Sequence, residues 1–363
     1  MRRMIFHAPF ALDPKAKAAS GIRPVRMKEA FVEAGYEVFD LTGTARTRRD
    51  ALKKLRALLA QGVKFDFCYS ESATIPNAVA GKKHFPPHFF LEAKIFATCS
   101  RANIPVGLFY RDIYWAFADY KQSVGKILAF LMTRLYRFDL RVYRRFVSRL
   151  YLPSLLMGEH LVISNPETFC ALPPGAALVD TTVDPSPLRL LYVGALGGHY
   201  RLDEVFSALR DLPGVEMIVC TGKQGWEAQR DSIELPPNVR VVHESGQGLE
   251  KLYKWANAGL LFMRPDPYRQ FAAPMKLYEY VGHAKPVIAS AGTLVAEFVG
   301  ENQVGWVAPY KAQSLKELLD SLVSNPQLIT EVTKKVEKAR HHHTWLARAR
   351  FVAEDLTGVK RDV

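Results

Sequence analysis

The stretch Ala273-Pro274-Met275-Lys276-Leu277-Tyr278-Glu279-Tyr280-Val281-Gly282-His283-Ala284-Lys285-Pro286-Val287-Ile288-Ala289-Ser290 reads as a helix followed by a strand. Pro274 stands just before a first helical turn, where a missing N–H costs nothing. Met275–Val281 is amphipathic, and Pro286–Ala289 is a short apolar run of the kind a buried strand needs. The same alternation extends outward in both directions. Around it strands are predicted at Leu190–Val193, Glu216–Thr221, Val239–Val242 and Leu260–Met263, with helices at Leu202–Leu212 and Leu249–Ala256. An earlier series has strands at Met4–His7, Val38–Leu41, Phe65–Tyr69, Val106–Tyr110 and Leu161–Ser164, and helices at Val25–Ala34, Ala51–Ala60 and His88–Ala102. Alternating strand and helix predicts an α/β fold with parallel sheets covered on both faces. Two series predict two doubly wound, Rossmann-like domains facing one cleft.

The expected division is residues 1–165, a linker 166–187 rich in Pro and Gly, a second domain 188–345, and a closing helix 346–363. A length of 363 residues with 48% hydrophobic and 23% charged residues fits two globular domains and excludes disorder, collagen and coiled coil. No apolar run reaches about 18 residues, so no transmembrane helix is expected. The opening MRRMIFHAPFALDPK reads as a first strand rather than an export signal. Cys68, Cys99, Cys170 and Cys220 lie far apart and read as free thiols in a reducing compartment. Arg340-His341-His342-His343 points its rings to different sides of a helix and reads as an exposed run rather than a metal site.

Charge is unevenly placed. Residues 1–183 hold 27 Lys and Arg against 15 Asp and Glu, and residues 184–363 hold 22 against 21. Nearly all of the net +13 therefore belongs to the first half. Much of it lies in Lys121–Leu152, where Arg134, Arg137, Arg141, Arg145 and Arg149 recur at helical spacing. Leu128, Leu131, Leu135, Phe138, Val142 and Phe146 recur beside them. A basic amphipathic helix over 121–152 suits an anionic membrane surface, and a core-facing helix with a solvated Arg face is the alternative. No compact nucleic-acid motif with stacking aromatics is present, so no nucleic-acid partner is expected.

Ligands of such domains bind beyond the carboxyl ends of the strands. After Leu190–Val193 comes Gly194-Ala195-Leu196-Gly197-Gly198-His199-Tyr200-Arg201, a glycine turn feeding a helix. Backbone N–H groups there suit a phosphate, and an ordinary strand–helix turn reads equally well. It has neither the dinucleotide nor the P-loop spacing. Lys276 and Glu279 share one helix face. The lysine suits a diphosphate and the carboxylate suits ribose hydroxyls, whereas a plain surface ion pair is the alternative. In the first domain Asp112 follows a strand directly and is the candidate catalytic base, with a rim salt bridge to Arg111 as the alternative. Glu71 is the second candidate by the same geometry. Tyr114 and Trp115 follow Asp112 and offer flat rings for stacking on a ligand. Arg23 and Arg26 suit an anionic ligand or a solvated helix start. No Asp-x-Asp pair occurs, so no divalent metal and no cofactor is expected.

The block Pro-Met-Lys-Leu-Tyr-Glu-Tyr with Lys285-Pro286-Val287-Ile288-Ala289 resembles the donor-binding signature of GT-B, group 1 glycosyltransferases. Leu191–Leu196 resembles their phosphate loop, Val239–Pro265 the segment of their base-binding loop, and the region around Trp345 their closing helices. The resemblance covers Leu190 to about Leu356. It is weaker in the first half, where Ser20-Gly21 and Ala34–Val38 look like the first loop and second strand. It implies donor contacts at Gly194, Arg201, His243, Pro274, Met275, Lys276 and Glu279, acceptor contacts at Arg23, Tyr114 and Trp115, and a closing helix on the first domain. Retaining members usually carry two glutamates eight apart, and the first of these positions is Phe271 here. The pattern is closer to membrane-associated bacterial glucuronosyltransferases of exopolysaccharide assembly, which invert with an aspartate base. The implied activity is transfer from a nucleotide-diphosphate sugar, UDP-linked, to a lipid-linked or membrane-proximal glycan at the cytoplasmic face of a membrane. The competing readings are a sugar-nucleotide epimerase of the same fold and a non-catalytic polyanion or membrane binder.

Overall fold

The computed structural model describes residues 2–16, 18–80, 88–117, 120, 122, 124–181, 184–197 and 201–359. Lys121 of the predicted helix and Gly198, His199 and Tyr200 of the predicted phosphate loop lie outside them. The chain forms two units, Met1–Pro173 with Trp345–Val363, and Pro174–Thr344.

The first unit is built on β1 (Arg2–His7), α1 (Ala19–Glu33), β2 (Tyr36–Leu41), α2 (Ala45–Ala60), β3 (Phe67–Glu71), α3 (Leu91–Arg101), β4 (Val106–Phe109), α4 (Lys126–Phe146), β5 (Arg149–Leu152) and β6 (Phe169–Ala171). All six strands are parallel, in the order β2-β1-β3-β4-β5-β6. The central strands are continuous apolar runs because helices cover both faces, and Met4, Ile5, Phe6, Phe67 and Tyr69 are fully buried. Phe31 of α1 locks onto this sheet, its ring 5.6 Å from Phe67 and 5.2 Å from Tyr69.

Two boundaries differ from the sequence expectation. The helix expected over 121–152 stops at Phe146, and Arg149–Leu152 is a strand, pairing Leu150 with Leu108. The periodic arginines hide the break at Val147, whose extended backbone (φ −94°, ψ 127°) ends the helix. The expected strand Leu161–Ser164 is a turn, with Val162 at the surface; the sixth strand is Phe169–Ala171, inside the expected linker. Three short residues of β6 carry too little periodicity to stand out among Pro and Gly.

The second unit runs β7 (Leu188–Val193), α5 (Asp203–Leu209), β8 (Val215–Cys220), α6 (Lys223–Glu227), β9 (Val239–Val242), α7 (Gln247–Trp255), β10 (Ala258–Leu261), α8 (Met275–Gly282), β11 (Val287–Ser290), α9 (Leu294–Asn302), β12 (Gly305–Ala308), α10 (Ala312–Ser324) and α11 (Gln327–Ala339). Its six parallel strands lie in the order β12-β11-β10-β7-β8-β9. Gly259 of β10 is required by packing, because a Cβ there would sit 2.4 Å from the Tyr280 ring of α8. The last helix, α12 (Trp345–Thr357), belongs to the first unit. It lies on α1, and Tyr151 of β5 donates to Asp355 at 2.8 Å. The His341–His343 run sits in a 3-10 turn, and the described residues contain no metal-binding cluster of His, Cys, Asp or Glu.

Each sheet has one place where consecutive strands depart in opposite directions: between β1 and β3 in the first unit, and between β7 and β10 in the second. Crevices open at such points, beyond the strand carboxyl ends.

Candidate active site

In the second unit, α8 begins beside that point. Pro274 is its N-cap (φ −72°, ψ 135°), and Met275 and Lys276 are its first residues. Lys276 and Glu279 are ion-paired across one turn and both stay half-buried, so the pair is neither solvated nor closed away. A cation in a first turn opposes the helix dipole, and its carboxylate partner offsets only part of that. Glu279 Oε2 accepts from Lys276 and from the Tyr253 hydroxyl at 2.7 Å. No described group bonds Oε1.

The strand ends around this pair are tightly tied. Tyr280 of α8 inserts its hydroxyl into β7, accepting from Val193 N at 3.0 Å and donating to Leu191 O at 2.9 Å. Tyr192 donates to Ala195 O at 2.6 Å. Gly194 does not offer its N–H to a phosphate as expected, because that group donates to Cys220 O at 3.0 Å in the ladder. Its glycine identity is instead a packing need: a Cβ would stand 2.8 Å from the Tyr192 hydroxyl. His243 is exposed after β9, and its Nδ1 donates to Thr221 O at 2.8 Å. Arg201 is exposed and pairs with Asp203 at 2.6 Å, at the edge of a cavity of about 290 Å³ that Gly197 and Gln229 also line.

The first unit has a cavity of about 260 Å³ at its own switch point. Phe10 and Asp13 after β1, Ser20 at the start of α1, Thr74 after β3 and Arg111 after β4 line it. Asp112 stands beside Arg111 at the strand end, partly exposed, and its Oδ1 accepts from Tyr114 N at 2.9 Å. Arg111 donates to Ser72 O at 2.8 Å, Ser20 O at 2.6 Å and Glu71 at 3.3 Å.

Glu71 and Arg23 are where sequence reading is corrected. Glu71 is fully buried, and both its oxygens are taken: by Arg23 at 3.2 Å and Tyr69 at 2.7 Å on one, by Arg111 on the other. A carboxylate closed in this way has no access to an acceptor hydroxyl. Arg23 is 4% exposed, with its guanidinium 3.4 Å from the Phe109 ring centre, so it is neither a ligand contact nor a solvated helix start. Desolvation makes such a cation viable only with its counter-charge. Trp115 is likewise engaged: its ring stacks on Tyr136 of α4 at 5.0 Å, and its Nε1 donates to Tyr110. Tyr114 remains exposed, with one edge toward Tyr120.

A second buried polar layer lies beneath. Arg48 bonds Glu92 at 2.6 Å, and His7 contacts Ser70 at 2.8 Å. Burial first, and Arg48 second, hold the His7 ring well below the usual histidine range. From α4, Asp139 accepts from Asn77 N at 2.8 Å, while Tyr136 donates to Thr74 O at 2.8 Å. Burial, helped by Glu92, pushes Asp139 up to about 7. The inner face of α4 therefore holds the loop that walls the cavity.

Sequence reading missed Tyr253, His283 and Glu250. Tyr253 lies 26 residues from the carboxylate it bonds, and no local pattern marks the pairing.

Anabaena HepE, solved with UDP-glucose, aligns over 99% of this chain and 100% of its own, at 13% identity and TM-score 0.62. The sucrose-phosphate synthase of Thermosynechococcus elongatus aligns over 98% of both chains, at 15% identity and TM-score 0.64. WaaG, a glycosyltransferase of lipopolysaccharide biosynthesis, aligns over 99% of this chain and 100% of its own, at 15% identity and TM-score 0.53. No curated protein matches by sequence. The fold is that of the GT-B glycosyltransferases. Residues 180–341, nearly all of the second unit, match the family model of the glycosyl transferases group 1.

Proposed function

We propose that the chain transfers a sugar from a UDP-linked donor to a lipid-linked or membrane-proximal glycan. The observation that carries this reading is the half-buried Lys276–Glu279 pair beside the β7/β10 switch point, with one carboxylate oxygen held and the other open. Lys276 neutralises the diphosphate as the bond to the sugar breaks, and Glu279 accepts from the ribose hydroxyls. Protein donors then do the work that a metal does elsewhere. One solved neighbour supports the nucleotide: HepE has been solved with UDP-glucose and with UDP. Asp112 takes the proton of the acceptor hydroxyl as that oxygen attacks the anomeric carbon, which inverts the centre. Glu71 drops out as a base because it is closed off.

The membrane reading narrows to α4. Its inner face, Ala129, Tyr136, Leu140 and Tyr143, is buried. Its first two turns expose Ile127 (80%), Leu128, Phe130 and Leu131, and Arg134, Arg137, Arg141, Arg144 and Arg145 are exposed beyond them. Exposed apolar side chains followed by an arginine row match an anionic bilayer. Because α4 leads into the start of β5, it runs opposite to the strands. Its apolar end therefore lies at the sheet edge that carries Asp112 and the 260 Å³ cavity.

A thermal-shift panel of nucleotides tests the donor reading. UDP at about a hundred times its Kd is expected to add ~2.7 kcal/mol to stability, and a flat response to UDP with a clear one to another nucleotide reassigns the donor.

A further inference from the structure

Glu279 is held from behind by a chain of side chains that no donor contact explains. Tyr253, on α7, is 1% exposed, and its hydroxyl reaches Glu279 Oε2 at 2.7 Å. The Tyr253 ring is packed on two sides. It stacks on the His283 ring at 4.0 Å and 17°, and it meets Tyr280 edge-on at 5.8 Å. His283 caps the end of α8, with Nδ1 at 2.7 Å from the carbonyl of Glu279 itself. Its Nε2 is 2.9 Å from Glu250 Oε2, which returns the contact to α7. Helices α7 and α8 are thus stapled twice around one carboxylate: once through Tyr253 and once through the His283–Glu250 pair.

A carboxylate that must accept from a ligand diol needs one oxygen fixed, so that the other points at the ligand without a loss of rotamer entropy on binding. Here Oε2 is fixed by Tyr253 and Lys276, and Oε1 has no bond from any described group. Lys276 alone is a poor positioner. It is a flexible point charge, and the diphosphate competes for it. The tyrosine hydroxyl is rigid and has no other partner among the described residues.

We propose that Tyr253 is the positioning residue for Glu279, clamped by the His283 stack, and that it sets preference for a ribonucleotide donor over a deoxyribonucleotide one. This rests on the donor reading given above.

The test is calorimetry on the full chain with UDP and with 2′,3′-dideoxy-UDP, for the unsubstituted protein, Tyr253→Phe, Glu279→Ala and the double variant. Tyr253→Phe keeps the ring and its packing, and unchanged thermal melting confirms the fold. It is expected to weaken UDP about fivefold, the scale of one hydrogen bond, and to leave 2′,3′-dideoxy-UDP within twofold. In the Glu279→Ala background the same change is expected to do nothing further, because the two act as one unit. An equal loss for both nucleotides, or an additive double variant, overturns the positioning role while leaving the donor site standing. An unsubstituted protein that binds no UDP overturns the donor reading and this proposal with it.

Discussion

The two units treat charge in opposite ways. The first closes its charges inward: Arg23, Glu71 and Arg111 form one buried cluster, Arg48 and Glu92 another, and both oxygens of Glu71 are taken by arginines or a hydroxyl. The second leaves Lys276 and Glu279 half-buried, with one carboxylate oxygen that no described group bonds. Both sets lie at strand carboxyl ends, the position that draws a functional reading. Burial and bond count separate them. Glu71, buried and bonded at both oxygens, is held as a strut, and the half-buried Glu279 is the carboxylate proposed to receive the donor.

The largest effect that separates strut from receptor lies in the first unit. Asp112→Asn is expected to leave UDP affinity unchanged and to lower kcat by ~10²–10⁴, read by donor-turnover kinetics. Glu71→Gln is expected to act on stability instead. Removing one partner of a buried ion cluster costs about 3–5 kcal/mol, because two arginines are left facing each other in the core. Denaturant unfolding measures it. A Glu71→Gln protein of normal stability and no turnover would exchange the two roles.

Asp139 sharpens the same contrast with pH. Its folded-state value of about 7 lies above that of a free carboxyl, near 3.9. The native state therefore keeps a proton that the unfolded chain has already lost. Stability falls as pH rises from about 4 to about 7 and is level above that. Asp139→Asn keeps an acceptor for Asn77 N without the buried charge. It is expected to gain stability above pH 7, by up to roughly 4 kcal/mol, and to match the parent at pH 4. Urea midpoints at the two pH values decide it.

The outward charge of the first unit is the smaller term. Replacing Arg137, Arg141, Arg144 and Arg145 with Gln is expected to release the protein from anionic vesicles at low salt, at ~1 kcal/mol per residue, without changing its melting point. High salt is expected to reproduce the loss in the unsubstituted protein, leaving the apolar contribution of Leu128, Phe130 and Leu131. Co-sedimentation with equal affinity for neutral and anionic lipid would remove the membrane from the account.

Much of the architecture was legible because its signal is local. Continuous apolar strands between amphipathic helices outline both sheets, and Pro274-Met275-Lys276 marks the start of α8 in a single turn. The parts that were not legible depend on distant residues. Arg149–Leu152 continues the arginine rhythm of α4 and becomes a strand only because β4 and β6 stand ready to pair with it. Arg23 and Arg111 meet Glu71 from 48 and 40 residues away, so nothing near Glu71 announces that it is closed. Gly194 looks like a phosphate donor until the ladder bond to Cys220 is seen.

The central claim is that the open carboxylate and its lysine hold the donor nucleotide. Calorimetric titration of UDP into Lys276→Ala and into Glu279→Ala, both checked for an unchanged melting point, tests it most directly. Each substitution removes a charge-assisted contact and is expected to weaken UDP roughly ten- to a hundredfold. UDP affinity equal to that of the unsubstituted protein in both variants would contradict the account.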